Sequence, residues 1–363
     1  MKNINVPVGI SNFEKIRQDG YYYVDKTGLI KDMLKNKIPE VTLITRPRRF
    51  GKTLAMSMLA SFFDIRRDSK KLFQGLNISK EQQLCNDWMN QYPTLFLSFK
   101  DVDGTIFENA LGLLQFTIAE LCKKHTYLIE SDGVDQDDKE TFRKLKSMGS
   151  NLPELQGSII MLMNMMKAYY NKQVILLIDE YDVPIAKASS NGYYKEMLEV
   201  MKAMLSTALK DNEALKFAVV TGCLKIAKES VFTGTNNFVS DTISSERYNE
   251  YYGFTQKDVD QILQDAQIEE KASDIKEWYD GYRFGEFDVY CPWDVMNYLW
   301  DLTNNQNAKP VSYWKNTSDN AIIRSFIDYS GAAIKKKLEI LISGGSIRQQ
   351  IEENLTYDYL HSS

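Results

Sequence analysis

Eight consecutive residues, 46–53, have the types that a phosphate-binding loop requires. Gly51 lets the backbone approach a phosphate group without a Cβ, Lys52 offers a positive charge to the β- and γ-phosphates, and Thr53 offers a hydroxyl to Mg²⁺. Such a loop also directs N–H groups at the anion from the start of a helix, where the helix dipole favours negative charge. The segment therefore predicts a site for Mg-ATP. The residues predicted to contact this cofactor are Arg46, Pro47, Arg48, Arg49, Phe50, Gly51, Lys52, Thr53 and Leu54.

Two residues depart from the usual pattern of such a loop. Arg46 stands where the pattern begins with glycine, and Pro47 removes one N–H donor. The alternative interpretation is a surface turn that contains Gly-Lys-Thr by chance. The flanking sequence favours the phosphate loop, because residues 41–45 have high strand preference and residues 53–63 have the pattern of an apolar helix. A phosphate loop requires this order of strand, loop and helix.

A second group of chemical interest follows the apolar run 174–178. Asp179 stands where a buried parallel strand ends, which is where ligands bind in open α/β sheets. We predict that Asp179 and Thr53 hold Mg²⁺, and that Glu180 orients or deprotonates the water that attacks in hydrolysis. The alternative is that this acidic pair caps a helix. The presence of the phosphate loop, residues 46–53, in the same chain argues against this alternative.

Two polar residues near these strand ends have less specific signals. Thr221 ends the next apolar strand and is predicted as a catalytic residue that touches the γ-phosphate or the water. A strand-terminal threonine with no such contact is the alternative. Asp182, three residues after Asp179, is expected to be structural.

Several cations are candidates for contacts to phosphate or to transition-state charge. Arg48 and Arg49 lie inside the loop, where they either contact phosphate or a partner or remain solvated. Lys225, Lys228 and Arg247 lie further along the chain, and each is more simply a surface cation.

Strand-like and helix-like stretches alternate through most of the chain, which argues for a parallel α/β sheet. We predict a P-loop NTPase core with three layers and a parallel sheet over residues 1–253, then a smaller, mainly α-helical lid domain over residues 254–363. Residues 129–152 are polar and are expected to form a surface excursion. The predicted strands are 41–45, 94–99, 174–178 and 217–221, and the predicted helical stretches of the core are 27–37, 53–63, 105–128, 153–170 and 192–211.

The composition of the chain argues against several classes of protein. The chain has 363 residues, with 44 Lys and Arg against 49 Asp and Glu, and this balance gives no overall attraction for nucleic acid. Its four cysteines are widely separated and it has two histidines, so a zinc site is not expected. A secretory signal and a membrane-spanning run are both missing from the sequence, and we therefore expect a cytoplasmic protein.

Strings along nearly the whole chain resemble motifs of the bacterial AAA-ATPase-like family. The resemblance implies an ATPase core related to AAA+ and STAND proteins, followed by a helical lid, and in that family Arg replaces the first glycine of the loop. It also implies an adenine contact near Val24-Asp25-Lys26. The strings are Tyr21–Thr27, Thr45–Thr53, Phe96–Asp101, Leu177–Asp182, Thr221-Gly222 with Ala227–Ser230, Tyr279–Gly285, Pro292-Trp293 and Asn316–Asn320.

The same resemblance bears on partners and on missing parts. Full-length members of the family commonly continue into a nuclease-like domain of the PD-(D/E)xK type, and we expect that domain to be absent from this chain. DNA is a partner by this analogy, and another protomer or protein is expected because related ATPases form rings. Lys225 stands where the family often has arginine, which argues against an arginine sensor there.

Three functions fit these features. Hydrolysis of ATP that switches a lid or a partner is favoured by Glu180, because a protein that only binds nucleotide needs no second carboxylate. A nucleotide-sensing regulatory module with negligible turnover is favoured by Pro47 and by the missing glycine. A small-molecule phosphotransferase would need an acceptor pocket, for which the sequence shows no signature.

Overall fold

A computed structural model describes residues 4–35, 38–225, 238–314 and 331–348, and it gives no side-chain surroundings for residues 331–335. Its largest sheet has five parallel strands in the order β2-β3-β4-β1-β5. The register pairs Thr45 with Gly222 and Ser98 with Asp179, so the carboxyl ends of these strands meet at one edge. The strands are β1 Val41–Thr45, β2 Thr94–Ser98, β3 Val174–Asp179, β4 Leu215–Gly222 and β5 Phe238–Asp241.

The central strands are apolar on both faces because helices cover both faces of the sheet. All six residues of β3 are buried. Leu176 and Ile178 pack into the hydrophobic cluster on one face, whereas Ile175 and Leu177 pack into the cluster on the other. This alternation confirms the predicted α/β core with three layers.

Eleven helices lie between the amino terminus and β4 in the described residues. Helix α3 covers one face of the sheet, and α6, α9 and α11 contribute to the cluster on the other face. The helices are α1 Phe13–Gln18, α2 Gly28–Lys35, α3 Lys52–Phe63, α4 Lys70–Phe73, α5 Gln82–Trp88, α6 Phe107–Lys124, α7 Gln136–Lys146, α8 Leu152–Gln156, α9 Ser158–Tyr170, α10 Val183–Asn191 and α11 Tyr194–Leu209.

Several regions of the core contain helices that the sequence did not predict, and α7 and α10 are two examples. Helix α7 lies within 129–152, where a polar surface excursion was expected. Asp135 caps this helix by accepting from the N–H groups of residues 137 and 138, and Phe142 and Leu145 fix it to the core. The predicted helix 192–211 is α11, and the structure adds α10 before it, which the sequence did not predict; Gly192 separates the two helices with a left-handed φ of 84°.

The carboxyl-terminal unit, residues 254–314 and 331–348, is rich in helices but also contains a small antiparallel sheet of order β6-β8-β7. The sequence did not predict this sheet, because its strands are short and aromatic. Thr255 and Asp258 form the expected capping box at the start of α12. The elements are β6 Phe254–Thr255, α12 Gln256–Ala266, α13 Ala272–Tyr279, β7 Asp280–Phe284, β8 Phe287–Tyr290, α14 Pro292–Asn304 and α15 Gly331–Ile342.

The amino-terminal segment packs into the hydrophobic cluster of the carboxyl-terminal unit. Val6 is buried in that cluster, and Val8 and Val24 lie against it. The Tyr22 hydroxyl donates to Asp265 at 2.7 Å, and Lys26 Nζ donates to Asp258 at 2.6 Å. Division of the chain at residue 253 therefore stays a prediction, since the first residues of the chain build part of the second unit.

No helix in the described ranges combines the length and the apolar character that a membrane crossing needs. The candidate cation Lys228 and the strings Ala227–Ser230 and Asn316–Asn320 lie outside the described residues.

His125, at the end of α6, provides a test of the packing of the core. Its imidazole is buried, its Nδ1 lies 3.2 Å from the Tyr127 hydroxyl, and the charged groups around it are Arg66, Asp64 and Lys124. Burial lowers the pKa of His125 from 6.5 to about 3. The unfolded chain takes up a proton near pH 6.5 and the folded chain does not, so stability is lost as the pH falls below that value.

We expect the free energy of unfolding to fall more steeply with decreasing pH in the parent protein than in His125→Asn. The difference in slope between pH 6 and pH 4 should be about 1.4 kcal/mol per pH unit. Urea unfolding at a series of pH values measures it. Parallel curves for the two proteins would show that His125 is protonated in the folded state.

Candidate functional site

The phosphate loop, residues 46–53, connects β1 to α3 through two left-handed residues. Arg49 has a φ of 71° and Gly51 a φ of 83°. Gly51 immediately precedes α3 and tolerates this conformation because it has no Cβ. The N–H groups of Lys52, Thr53 and Leu54 lie in the first turn of the helix and have no intrahelical acceptor. The local geometry is thus that of an anion site at a helix N-terminus.

The Lys52 ammonium lies beneath this loop. It donates to the carbonyl oxygens of Arg46 and Pro47, both at 2.9 Å, and it is 3.6 Å from Cys223 Sγ. The Lys52 side chain is buried, so its positively charged ammonium group stays next to the loop. A phosphate group would offer this ammonium a stronger, charged acceptor than the two carbonyls.

The Asp179 carboxylate joins the phosphate loop to the sheet. One oxygen accepts from the Thr53 hydroxyl at 2.8 Å and the other accepts from the Thr221 hydroxyl at 2.6 Å. Strand pairing places Ile178 opposite Val220, so the next residues of β3 and β4 meet at the carboxyl edge. Because Thr53 uses its proton on Asp179, its lone pairs are available to a cation on the other side.

Glu180 lies beside this group in a backbone conformation that is uncommon for its type. Its φ is 55°, and non-glycine residues with such values are frequent at functional sites. Burial raises the pKa of Glu180, the Asp179 charge raises it further, and Lys52 and Arg48 oppose the rise. A half-buried carboxylate with a raised pKa is suited to accept a proton from water.

A cavity of about 570 Å³ opens over the phosphate loop. Its lining includes residues 48–54 and Glu180, together with Tyr22, Val24, Trp293 and other mostly apolar residues. The cavity has the size of a small-molecule or cofactor pocket.

The structure brings together most of the predicted site residues, but four of them, Arg46, Pro47, Asp179 and Thr221, do not line the cavity. Thr221 is fully buried and contacts Asp179, so its place is behind that carboxylate rather than at the γ-phosphate. Pro47 contributes a carbonyl to Lys52. The Arg46 side chain points away from the cavity, as described next. Asp182 is buried and accepts from the N–H groups of residues 223 and 224, which agrees with its expected structural role.

Arg46 lies in the protein interior with no exposed surface. Its guanidinium donates to Asp241 at 2.5 Å and to the Asn249 side chain at 2.7 Å. The Tyr252 and Phe284 rings lie beside it, with centroids at 5.3 and 5.6 Å. The side chain of Arg46 is therefore not a phosphate ligand in this geometry, because both terminal nitrogens of the guanidinium donate to Thr45, to β5 and to the segment that follows β5.

Two further side chains of the loop contact the carboxyl-terminal unit. The Arg49 guanidinium stacks over the Trp293 ring at 3.9 Å. Phe50 packs against Tyr282 and Phe284, with ring centroids 4.8 and 5.1 Å apart. The sequence reasoning missed these pairs, although the aromatic residues 279–285 were a visible signal that a partner surface was needed.

The donor set around the loop fits Mg²⁺ carried by a nucleotide rather than a metal held by protein alone. Within the described ranges, no group of three or more His, Cys, Asp or Glu residues is placed to hold a metal. Mg²⁺ commonly takes one or two protein oxygens and completes its shell with phosphate and water. Thr53 offers such an oxygen, and Asp179 is placed behind it.

Comparison with known proteins agrees with this architecture. Residues 7–232 match the model of the AAA-ATPase-like family, described as "Predicted AAA-ATPase", and the chain belongs to this family. It is similar to an "Uncharacterized protein in vnfD 5'region" of Azotobacter chroococcum mcd 1, at 29% identity over 298 residues. That match covers 82% of this chain and 52% of the relative, so the chain spans about half of the relative's length. No solved structure matches the chain.

The Arg46–Asp241 pair allows a double-mutant test of the loop's anchor. Arg46→Met should destabilise the protein by about 3–5 kcal/mol, because it leaves the Asp241 carboxylate buried without a cation. The double variant Arg46→Met with Asp241→Leu should recover most of that loss. Chemical unfolding of the parent and the three variants gives the cycle. Equal losses in the single and double variants would contradict the anchor.

Proposed function

We propose that this protein binds Mg-ATP and hydrolyses it, and that the nucleotide state changes the contacts between the phosphate loop and the carboxyl-terminal unit. One observation carries the proposal. The Asp179 carboxylate is hydrogen-bonded to Thr53 of the loop and to Thr221 of the sheet, next to Glu180 at the wall of the cavity.

Each part of the site has a role in this proposal. The N–H groups at the start of α3 and the Lys52 ammonium bind the phosphates. Thr53 and Asp179 hold the Mg²⁺, which neutralises charge on the phosphates. Glu180 takes a proton from the attacking water as the water oxygen bonds to the γ-phosphorus. The β–γ bridging bond breaks, and its electron pair leaves with ADP.

The apolar part of the cavity lining suits the nucleoside. Tyr22 and Val24 line it, and Lys26, which also lines it, is held by Asp258 and by the carbonyl of Glu250. This arrangement supports the adenine contact near residues 24–26 that the family resemblance implies. Tyr22 and Val24 also pack against the core of the carboxyl-terminal unit, so a base bound beside them would lie next to that unit.

The switching part of the proposal rests on the side chains of the loop. Arg49 stacks on Trp293 and Phe50 packs between aromatic residues of β7. A phosphate that draws Lys52 from the carbonyls of residues 46 and 47 would move the backbone that carries these side chains. The carboxyl-terminal unit is therefore placed to respond to nucleotide.

A nucleotide-sensing module with negligible turnover is the second candidate. It is favoured by Pro47, which offers no N–H to phosphate, and by the Lys52 ammonium, whose donors are satisfied inside the loop. Such a module would bind ATP and change shape as proposed above. Glu180 would not act as a base in it, because no water attacks the γ-phosphorus.

The surroundings of the protein are also part of the proposal. All four cysteines are free thiols, which suits the reducing cytoplasm expected from the sequence. The chain spans about half of its relative's length. A protein partner, a second copy of the chain or DNA is therefore proposed as a partner of the whole protein. Nuclease activity is not proposed for these residues.

Lys52→Ala should abolish ATP binding or weaken it at least about 10²-fold, because the loop loses its cation for the β- and γ-phosphates. Calorimetric titration with Mg-ATP measures the affinity, and Lys202→Ala, which removes an exposed lysine, serves as the control. Unchanged affinity in Lys52→Ala would sink the assignment of the phosphate loop.

Glu180→Gln should retain ATP binding and slow hydrolysis by about 10²-fold or more, because the amide cannot accept the proton of the water. Single-turnover phosphate release tests this, with Glu196→Gln on the exposed face of α11 as the control. Equal rates in Glu180→Gln and the parent would remove Glu180 from the mechanism. Binding without turnover in the parent itself would favour the sensing module.

A further inference from the structure

The phosphate loop carries three arginines that lie in different surroundings. Arg46 is buried against Asp241 and Asn249, and Arg49 stacks on Trp293. Arg48 lies between them in sequence, is half-buried, and lines the cavity. Among the residues that the structure describes, no carboxylate lies within ion-pair distance of Arg48, and no hydrogen bond holds its guanidinium.

The other cations of the cavity already have partners. Lys26 pairs with Asp258, Lys187 pairs with Asp103 at 3.0 Å, and the Lys100 ammonium is 4.0 Å from Asp101. Lys52 donates to loop carbonyls. A cation that is half-desolvated and lacks a partner has its full charge available to an incoming anion.

The position of Arg48 along the cavity follows from its neighbours. Its charge opposes the rise that burial produces in the pKa of Glu180 and in the pKa of Cys223. Both groups lie at the carboxyl edge of the sheet, the first after β3 and the second after β4. Arg48 and Glu180 also line the same cavity, so the guanidinium and the proposed base border the same space over the phosphate loop.

We propose that Arg48 is a catalytic residue that neutralises the γ-phosphoryl group during transfer, supplied by the same chain that binds the nucleotide. The proposal rests on the ATPase function proposed above. Charge on the transferred group spreads over three oxygens, and a planar guanidinium donates to two of them at once. ATPases that take this arginine from a neighbouring subunit need an assembled complex. In this arrangement, one chain supplies the arginine together with the other groups proposed for hydrolysis.

The test compares Arg48→Ala and Arg48→Lys with the parent and with the control Arg143→Ala, which removes an exposed arginine from α7. In Arg48→Ala, kcat should fall by at least about 10²-fold while the Kd for Mg-ATP changes less than about fivefold. Affinity for Mg-ADP with aluminium fluoride, which mimics the planar phosphoryl group, should fall in parallel with kcat. Arg48→Lys should recover part of kcat and part of the affinity for Mg-ADP with aluminium fluoride. Lysine keeps the positive charge but lacks the planar pair of donors of a guanidinium. Retained Mg-ADP binding shows that each variant folds.

Mixing experiments separate the same-chain role from a role in trans. Arg48→Ala mixed with Glu180→Gln should stay as slow as either variant alone, and the parent's turnover per chain should not depend on protein concentration. Recovery of activity in the mixture would overturn the same-chain assignment. An unchanged kcat in Arg48→Ala, or a loss confined to ATP affinity, would overturn the catalytic role and leave the ATPase proposal standing. A parent protein without turnover at any concentration would instead refute the ATPase proposal, and this inference with it.

Discussion

The two hydroxyl groups that donate to Asp179 define the geometry on which the candidate site depends. Thr53 lies in the first turn of α3 and Thr221 lies near the end of β4, so one carboxylate ties the helix of the phosphate loop to the centre of the sheet. The parallel arrangement makes this contact available, because it brings the ends of β1, β3 and β4 to the same edge. Glu180 follows directly, and its left-handed backbone turns the chain away from the sheet beside the cavity.

The phosphate loop is fixed on its other side by the residues that follow β4. Arg46 reaches β5 and Asn249, Phe50 reaches β7, and Arg49 reaches α14. A loop held on two sides leaves little freedom for its N–H groups, which preorganises them for an anion. Through the same contacts, a shift of the loop would displace residues of the carboxyl-terminal unit. Closely packed aromatic rings move rather than compress.

Local sequence was sufficient for the elements that have strong local signals. The strand β1 has the predicted bounds, β2 and β3 differ from prediction by one residue at the carboxyl end, and β4 is longer by two residues at its start and one at its end. Strand β5 was missed because four residues at a sheet edge carry little periodicity, and α7 was missed because its few buried residues are outnumbered by charges. The phosphate loop and Asp179 could be predicted from sequence because the residue types that suggest their chemistry are consecutive or directly follow a strand. The Arg46 partners were not found, since they are about 200 residues away in sequence and only the fold brings them together.

The replacement of the usual glycine by Arg46 has a structural explanation in this geometry. A fully buried guanidinium costs several kcal/mol of desolvation, and this cost is offset only when good partners surround it. Asp241 and Asn249 offer these partners, and the rings of Tyr252 and Phe284 complete the surroundings. All four belong to residues 238–290, so the first residue of the phosphate loop is satisfied when that region is docked against the core. A glycine would make none of these contacts, whereas arginine links the folding of the loop to the docking of residues 238–290.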